Sequence, residues 1–460
     1  MISAAIIAAL EAIVGKRGIR DADALRPIHP GFDSRNLDAG LMVIPKSTAE
    51  VAGVLCLCNE HGIAVVPQGG RTGLAGGATS TAGEIILSLA NLNRIETISP
   101  DAQVAIVESG VTLQALQEAA EHHGLSSGID IAARGSATIG GMISTNAGGM
   151  EAFRLGVMRQ RVLGLEVVLP DGSVMSDMAQ VTKSNEGYDL KQLFIGAEGT
   201  LGIVTRAVLK LAPKDEFTAT ALVACPSVAA AVTLFGRLQR SRSIRVLRAE
   251  FMERSYFRLA AETLGPPALA AFTDASAYLI LESEAPDQHT AQTSLEEALA
   301  AAVEDELILD AIIAQSESDR QLIWKVREES DTATRAYPAG YWFDISVPLQ
   351  ALQAYLDRFS AEITALGDGT RGFVFGHLGD GNLHICVASD GTMPDKNAAK
   401  AIVYVGLKEM GGSFSAEHGI GLDKKAELEA LVDPVKLSVM RTIKKALDPN
   451  GIMNPEKIIG

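Results

Sequence analysis

The sequence predicts an α+β protein with two or three domains. Its 460 residues exceed what one ordinary hydrophobic core supports. Short apolar runs typical of strands alternate with helical segments as far as Pro213, and alanine-rich helices between further strands occupy 214–415. Three glycine-rich segments each lie beside a predicted strand of the first region. We therefore expect domains over 1–213 and 214–415, followed by a C-terminal segment over 416–460.

The elements of the first domain follow in order. Ser47 to Glu50 is a capping box, which predicts a helix that ends near Gly62. Apolar runs predict six strands, and helical periodicity predicts a second helix that Gly124 closes. The strands are 63–66, 84–89, 102–108, 162–169, 173–175 and 203–205, the second helix is 112–123, and the glycine-rich segments are 67–77, 135–149 and 196–202.

The second domain and the C-terminal segment show the same two periodicities. We predict helices at 228–239 and 292–302 and strands at 278–282, 343–347, 373–375 and 385–387. A last helix, which begins at Leu437, precedes the turn Asp448-Pro-Asn-Gly451.

Composition narrows the classes of function. A hydrophobic content of 47% and a charged content of 21% indicate a packed globular protein. The net charge of −16 argues against nucleic-acid binding, since no basic stripe can neutralise phosphates. The four cysteines match neither a disulfide nor a zinc-finger pattern, and Cys56 and Cys58 are predicted to fill the core.

Location is predicted from the apolar runs. None reaches the ~18–20 residues of a transmembrane helix, and the apolar N-terminus is interpreted as a surface helix rather than a signal peptide. We expect a cytoplasmic protein, with peripheral attachment to a membrane as the alternative.

Two histidine motifs near the C-terminus predict a metal site. Asp380-Gly381 is a two-residue hairpin signal, and counting outward from it places His377 opposite His384. Cross-strand neighbours have Cβ atoms roughly 5 Å apart, so both rings can bind one ion. Glu417 is the candidate third ligand, and His418 can then move a proton. For either histidine alone, an ordinary glycine-rich hairpin with polar residues is the alternative.

The glycine-rich segments predict a cofactor site. Backbone approaches a pyrophosphate only where side chains are absent, and bare N–H groups then supply donors. The chain has neither a G-x-G-x-x-G fingerprint in a βαβ unit nor a Walker A sequence. Three such segments in one domain indicate an extended dinucleotide that lies across several loops.

These motifs together resemble a known family. Pro67 to Gly73, Gly135 to Gly149 and Gly196 to Thr205 are similar to the FAD-binding domain of the vanillyl-alcohol-oxidase/p-cresol-methylhydroxylase flavoproteins. With the histidine motifs and Asp448-Pro-Asn-Gly-Ile-Met-Asn-Pro455, the chain resembles the FAD-linked D-2-hydroxyacid dehydrogenases. That family includes D-lactate and D-2-hydroxyglutarate dehydrogenases and the glycolate oxidase subunit.

The resemblance implies a fold and a cofactor site. It implies a two-subdomain FAD-binding domain from 1–213 and 416–460, and an α+β substrate-binding cap with an antiparallel sheet over 214–415. Some relatives bind flavin covalently through a histidine in the first glycine loop, whereas that loop has Arg71 and no histidine here, so we expect non-covalent FAD. The implied FAD contacts are Pro67, Gly69, Gly70, Arg71, Thr72, Gly73, Gly135, Ser136, Thr138, Gly140, Gly141, Thr145, Ala147, Glu198, Gly199, Gly202, Ile203 and Asn454.

The resemblance also implies a reaction. A D-2-hydroxy acid would be oxidised to the 2-oxo acid, with hydride passing to flavin N5 and His418 as the general base. His377, His384 and Glu417 would hold zinc, or else manganese or iron, which polarises the hydroxyl. Arg327 would bind the substrate carboxylate. A helix-surface arginine paired with a glutamate is its alternative.

Two departures from the family pattern bear on the substrate. Trp342 stands where dicarboxylate-oxidising relatives have a lysine, and Cys386 stands where they have an asparagine. We therefore favour D-lactate or a longer apolar 2-hydroxy acid over D-2-hydroxyglutarate, unless Arg335 or Lys325 supplies the distal cation. The electron acceptor is left open among quinone, cytochrome, electron-transfer flavoprotein and, for an oxidase, oxygen. A homodimer, a non-catalytic electron-relay subunit and a metal-dependent hydrolase are further alternatives.

Overall fold

The computed structural model describes residues 2–265, 269, 271–328 and 331–459. The chain divides into two compact units. The first unit contains Met1–Gly149, Leu155–Lys214 and Glu417–Gly460, and the second contains Met150–Arg154 and Asp215–Ala416. The excursion Met150–Arg154, which supplies five residues of the second unit from within the first, was not predicted from the sequence.

The first unit contains three sheets among its described residues. A four-stranded sheet has the order β1-β2-β4-β3, an antiparallel five-stranded sheet has the order β5-β6-β10-β8-β9, and β7 pairs with β11. The strands are β1 (Ile19–Asp21), β2 (Leu41–Val43), β3 (Val65–Gln68), β4 (Ile85–Ser88), β5 (Ile95–Ser99), β6 (Val104–Glu108), β7 (Leu125–Ser126), β8 (Val162–Val168), β9 (Val174–Asp177), β10 (Ile203–Lys210) and β11 (Ala212–Pro213).

Helices pack on both main sheets of this unit. The predicted N-cap is present, because the Ser47 hydroxyl accepts the Glu50 N–H, and Gly62 closes the helix at φ 61°. The Glu50 carboxylate accepts the Lys46 N–H at 2.9 Å rather than the Ser47 N–H of a full capping box. Cys58 lies on the buried face of this helix, whereas Cys56 is exposed, so the prediction that both fill the hydrophobic core is wrong for Cys56. The helices are Ala4–Val14, Ala22–Leu25, Thr48–His61, Leu113–Glu121, Ile139–Thr145, Ala152–Leu155, Met158–Arg161, Lys191–Phe194, Lys425–Leu431 and Pro434–Leu447; Ala152–Leu155 crosses into the excursion.

The second unit is built on one antiparallel sheet with the order β15-β12-β14-β13-β17-β18-β16. Its strands are β12 (Thr218–Cys225), β13 (Arg245–Glu253), β14 (Ala277–Glu284), β15 (Asp310–Ile313), β16 (Tyr341–Ser346), β17 (Thr370–His377) and β18 (Asn382–Ser389). Its helices are Val228–Gln239, Arg254–Leu264, Gln288–Glu304, Glu317–Glu328, Thr332–Ala336, Leu352–Thr364 and Lys396–Tyr404. Within the described parts of the chain, no helix has the length and apolar character needed to cross a membrane.

The hairpin of β17 and β18 has a different register from the predicted one. His377 pairs with Asn382, and His384 pairs with Phe375, so the prediction that the two histidines lie directly opposite is wrong. The connection is a four-residue loop. The carbonyl of Gly381, a residue at φ 74°, accepts the Val347 N–H at 2.9 Å and so takes no part in the pairing of β17 with β18. The shift of two positions keeps both side chains on one face of the sheet, since side chains alternate with period 2.

Candidate functional site

Polar side chains form two adjacent rows across one face of the sheet in the second unit. Glu250 on β13 pairs with His377 on β17, which pairs with Asn382 on β18. In the next row, Phe375 pairs with His384, and His384 pairs with Asp344 on β16. Directly paired residues of antiparallel strands point to the same face, so the sheet register itself brings these groups together.

The two histidine rings lie close enough to bind one ion. Their centroids are 5.4 Å apart with planes at 88°, and one nitrogen of each ring lies within 4.8 Å of the other. Nδ1 of His377 lies 2.8 and 2.9 Å from the two Glu250 oxygens, so Nε2 is the atom with which this ring would bind a metal. Nδ1 of His384 lies 3.7 Å from Oδ1 of Asp344.

Arg327 is buried beside this pair. Its Nη2 lies 2.7 Å from Oε2 of Glu250, and its guanidinium stacks 4.7 Å from the centroid of the Phe375 ring. With 6% of its surface exposed, Arg327 is not the helix-surface arginine of the alternative interpretation. Its buried Nε has no hydrogen-bond partner among the described residues, which leaves a donor for a carboxylate.

Glu250 is a candidate site residue that sequence reasoning missed. Its side chain is fully buried, and burial alone would raise the pKa of its carboxyl. The His377 ring, which faces the carboxylate with Nδ1, and the Arg327 guanidinium outweigh burial and hold that pKa below its ordinary value. A lone glutamate in the apolar run Ala249-Glu250-Phe251-Met252 is the signal that could have identified it.

Asp344 is the second missed carboxylate. It is fully buried, and its two oxygens accept the Asn382 Nδ2 at 2.8 Å and the Ala416 N–H at 3.1 Å. Ala416 is the last residue of the second unit. Glu417 and His418 follow it directly as the first residues of the returning segment of the first unit. Asp344 therefore anchors the chain one residue before Glu417.

Trp342 and Cys386 pair with each other on the same face, two residues along β16 and β18 from Asp344 and His384. Cys386 is buried, and burial raises the pKa of its thiol to about 12, which keeps it neutral. Trp342 is 39% exposed and packs edge-on 6.0 Å from Phe375. The surface beside the histidines is therefore apolar in this direction.

The candidate distal cations belong to two helices of the second unit, Lys325 to Glu317–Glu328 and Arg335 to Thr332–Ala336. Arg335 is half-exposed and pairs with Asp331 at 2.9 Å, and Lys325 is exposed on its helix. An exposed pair of this kind is weak, so it does not remove Arg335 as a partner for a substrate.

In the first unit, the glycine segments approach one another too closely for side chains. A Cβ on Gly70 would lie 1.9 Å from the Ser136 carbonyl, and one on Gly69 would lie 2.2 Å from the Thr138 hydroxyl. A Cβ on Gly199 would lie 2.4 Å from the Pro67 ring. All three predicted segments therefore meet, which is the close backbone packing that a dinucleotide cradle requires.

Buried polar atoms without partners lie on or beside these segments. Arg71, held at φ 55°, has a buried Nε with no partner in the described part of the chain, and burial lowers the pKa of its guanidinium. An unsatisfied buried guanidinium nitrogen suits an anionic ligand such as a pyrophosphate. The other such atoms are Gln68 Oε1, Ser109 Oγ and Asn454 Oδ1. Sequence reasoning missed Gln68 and Ser109 as candidates.

The remaining predicted cofactor residues differ in their surroundings. Thr138 caps the helix Ile139–Thr145, and Ala147 follows Asn146, the C-cap of that helix. Gly140 packs against Ser109, and its N–H donates to the Ser109 carbonyl at 2.7 Å. By contrast, Ile203 lies in the core, and Gly202 packs against Val167 and Phe194. Positions whose built Cβ would have more room are Gly73, Gly135 and Gly141, and Thr145 bonds within its own helix.

Asn454 and Glu198 connect the C-terminal segment to the glycine loops. The Asn454 amide donates to the carbonyls of Gly77 at 2.9 Å and Glu198 at 2.7 Å. The Glu198 carboxylate accepts the N–H groups of Ile420 at 2.7 Å and Gly421 at 2.8 Å. The Glu198 side chain, which the family resemblance assigned to FAD, thus holds the backbone just after Glu417 and His418.

Glu198 predicts a pH dependence of stability. Burial raises the pKa of its carboxyl to about 7, above the value of about 4.5 in an unfolded chain. The folded state therefore holds the proton more tightly, and this group's contribution to the free energy of unfolding falls by about 3 kcal/mol as pH rises from about 4.5 to 7. Urea unfolding across this range should show a smaller fall in Glu198→Gln than in the wild type. Equal pH slopes in the two proteins would contradict the assignment.

Comparisons with known protein families match most of the chain. Residues 39–177 match the model described as "FAD binding domain", and residues 214–458 match "FAD linked oxidases, C-terminal domain". Both matches fall on the segments whose geometry is described above.

Three curated relatives illustrate the similarity. The chain is 36% identical to D-2-hydroxyglutarate dehydrogenase, mitochondrial, of Bos taurus, covering 98% of this chain and 83% of the relative. It is 34% identical to the protein of that name in Arabidopsis thaliana, covering 91% and 75%. It is 34% identical to D-2-hydroxyglutarate dehydrogenase of Stutzerimonas stutzeri, covering 96% and 95%.

Solved structures show the fold. One of p-cresol methylhydroxylase with substrate bound has a TM-score of 0.76 at 18% identity, covering 99% of this chain and 96% of that one. One of alkyldihydroxyacetonephosphate synthase has a TM-score of 0.75 at 17% identity, covering 99% and 85%. The predicted fold class is confirmed, and likeness at this identity carries no more than the fold.

Proposed function

This chain belongs to the FAD-linked D-2-hydroxyacid dehydrogenases, and on that premise we propose that it oxidises a D-2-hydroxy acid with an uncharged side chain, such as D-lactate or a longer apolar acid. The observation that carries the substrate choice is the apolar surface of Trp342, Phe375 and Cys386 beside the histidines. A tryptophan and a neutral thiol cannot compensate the charge of a distal carboxylate, and burying an unpaired charge is costly.

FAD is the redox cofactor of this family, and when bound it supplies the acceptor for the hydride that leaves substrate C2. We propose that Arg71 and the backbone of Gly69, Gly70 and Ser136 hold its pyrophosphate, because the three glycine segments meet there. The unsatisfied Nε of Arg71 supports this role. The absence of a histidine in the first glycine segment favours non-covalent binding.

A divalent metal is part of the proposal. His377 and His384 offer two ring nitrogens within 4.8 Å, each ring having a buried carboxylate on a neighbouring strand. Glu417 would be the third ligand, since the chain is anchored at Ala416 one residue before it. When bound, such an ion polarises the substrate hydroxyl. Two imidazoles and one carboxylate favour zinc, and they also suit manganese or iron.

The remaining steps fall to side chains. His418 would accept the hydroxyl proton, and the C2 hydrogen would leave with its electron pair, so the alcohol becomes a ketone by loss of one proton and one hydride. Arg327 would donate to the substrate carboxylate from Nε, which has no hydrogen-bond partner among the described residues, while Glu250 holds Nη2.

D-2-hydroxyglutarate is the second candidate substrate. It is favoured by the names of the relatives, including the protein of Stutzerimonas stutzeri that this chain matches over 95% of its length. Oxidation of this acid needs a cation for the distal carboxylate. Arg335 would have to exchange its exposed partner Asp331 for the substrate.

Flavin bleaching decides between the two substrates. Under anaerobic conditions, D-lactate or a longer apolar D-2-hydroxy acid should bleach the bound flavin faster than D-2-hydroxyglutarate, and L-lactate should leave it oxidised. Trp342→Lys introduces the lysine that dicarboxylate-oxidising relatives have at this position. It should raise kcat/KM for D-2-hydroxyglutarate by about tenfold or more. Trp342→Phe is the matched control without charge. Bleaching of the wild type by D-2-hydroxyglutarate alone would reverse the ranking.

The other properties stay predictions. Peroxide release during turnover would identify an oxidase, and a colourless purified protein would revive the hydrolase alternative. An electron-relay subunit would need neither the histidines nor Glu417. Quinone, cytochrome and electron-transfer flavoprotein are the candidate acceptors, and a homodimer is one candidate assembly. The cytoplasmic location is not supported by the relatives' names, since those of Bos taurus and Arabidopsis thaliana include "mitochondrial".

A further inference from the structure

One buried carboxylate contacts both halves of the proposed substrate site. Glu250 lies 2.8 and 2.9 Å from Nδ1 of His377 through its two oxygens, and its Oε2 also lies 2.7 Å from Nη2 of Arg327. We propose that Glu250 is a positioning residue that sets the metal-binding nitrogen of His377 and the substrate-binding orientation of Arg327 together. The inference rests on the proposed function of these two residues.

The contact with His377 decides which ring nitrogen faces the ion. Both Glu250 oxygens lie at hydrogen-bond distance from Nδ1, and Oε2 also accepts from Arg327, so the carboxylate favours the tautomer with the proton on Nδ1 and the lone pair on Nε2. The direct pairing of Glu250 with His377 across β13 and β17 fixes the distance between the two groups. Carboxylate–histidine contacts of this kind typically contribute 10–100-fold to metal affinity.

The contact with Arg327 decides how the guanidinium is presented. Glu250 holds Nη2, the Phe375 ring covers the guanidinium plane at 4.7 Å, and the buried Nε keeps an unused donor. A planar guanidinium binds a carboxylate well only when its edge is held in a fixed direction. Glu250 and Phe375 together supply that direction.

Glu250→Gln separates this role from a general packing role. Glutamine has nearly the same volume as glutamate but only one acceptor oxygen. If that oxygen accepts from His377, the amide N–H₂ faces the N–H donors of Arg327 and cannot bind them. The FAD-loaded variant should bind Zn²⁺ 10–100-fold more weakly in a competition titration with a chromogenic chelator after metal removal. Its KM for the acid that bleaches the wild-type flavin fastest should rise by about tenfold, and the absorbance of bound FAD should be unchanged.

Glu282→Gln is the matched control. Glu282 is a 2%-exposed glutamate on the neighbouring strand β14, and it accepts from Trp324 Nε1 and Thr220 Oγ1, each at 3.0 Å, and pairs with Arg248 and Arg320. None of these described partners is a histidine. Both variants should lower the unfolding midpoint, but Glu282→Gln should leave Zn²⁺ affinity and KM near the wild-type values.

The outcomes separate this inference from the proposed function. Wild-type Zn²⁺ affinity in Glu250→Gln, or equal losses in both variants, would overturn the role of Glu250. If the wild-type protein takes up no metal, the metal part of the proposed function fails, and with it the His377 half of the inference. A rise in KM confined to Glu250→Gln would then support the Arg327 half, and an unchanged or lower KM would overturn it.

Discussion

Replacing His418 by alanine is expected to lower kcat by about 10²–10⁴-fold while the purified protein stays yellow. The imidazole would accept the substrate hydroxyl proton, so its loss removes the acceptor without removing a residue of the glycine segments. The backbone at Ile420 and Gly421 stays bound to Glu198, so the segment should keep its shape. The measurement is the rate of anaerobic flavin bleaching in a single turnover, together with the FAD content.

A control guards this result against a general effect of losing a histidine. His61 is exposed at the end of the helix Thr48–His61 in the same unit, and His61→Ala should bleach at the wild-type rate. Normal bleaching in His418→Ala would remove it as the base and leave a bound hydroxide or another side chain to take the proton. Loss of FAD from His418→Ala would instead assign it a role in holding the cofactor.

Stripping the metal with a chelator is expected to reduce turnover by about 10²–10³-fold while FAD remains bound. Polarisation of a hydroxyl by a divalent ion is worth several kilocalories per mole, and each 1.36 kcal/mol is about tenfold in rate. Adding back zinc, manganese or iron one at a time should restore activity and identify the preferred ion. His384→Ala should reproduce the loss, and added metal should not reverse it.

The control for this experiment is chelator saturated beforehand with the same metal, which should leave turnover unchanged. Turnover that survives exhaustive chelation, in protein shown by elemental analysis to hold no metal, would exclude the ion from the reaction. The cluster of His377, His384 and Glu250 would then be a structural polar network in the sheet.

The sequence correctly predicted that the two histidines lie close together, although the predicted register of the hairpin was wrong. The expected two-residue turn at Asp380-Gly381 is a four-residue loop, because Val347 binds the Gly381 carbonyl. The error amounts to two positions, and a strand repeats its facing every two residues, so His377 and His384 still share a face. A slip by one residue would have separated them to opposite faces.

The sequence did not predict the carboxylates that flank the histidines. Glu250 lies 127 residues before His377, and Asp344 lies 38 residues before its amide partner Asn382, so only the strand order of the sheet brings them together. Such non-local pairing follows from topology, which local periodicity cannot supply. The glycine segments were easier to predict, because close backbone approach leaves a local trace in the sequence.

The excursion Met150–Arg154 bears on whether the second unit could be exchanged as a module between proteins. The chain passes from one unit to the other four times, at 149/150, 154/155, 214/215 and 416/417. Phe153 packs beside Gly379 in the loop after His377, where a Cβ would lie 2.3 Å from its ring. Glu151 binds both Arg154 and Arg248, each at 2.6 Å.

A gene fragment that encodes 215–416 would therefore lack the ring that supports this loop and the carboxylate between two arginines. Recombination at the two outer borders alone would transplant the histidines without that support. A transplant that keeps this support must therefore also carry 150–154, which the gene encodes within the sequence of the first unit.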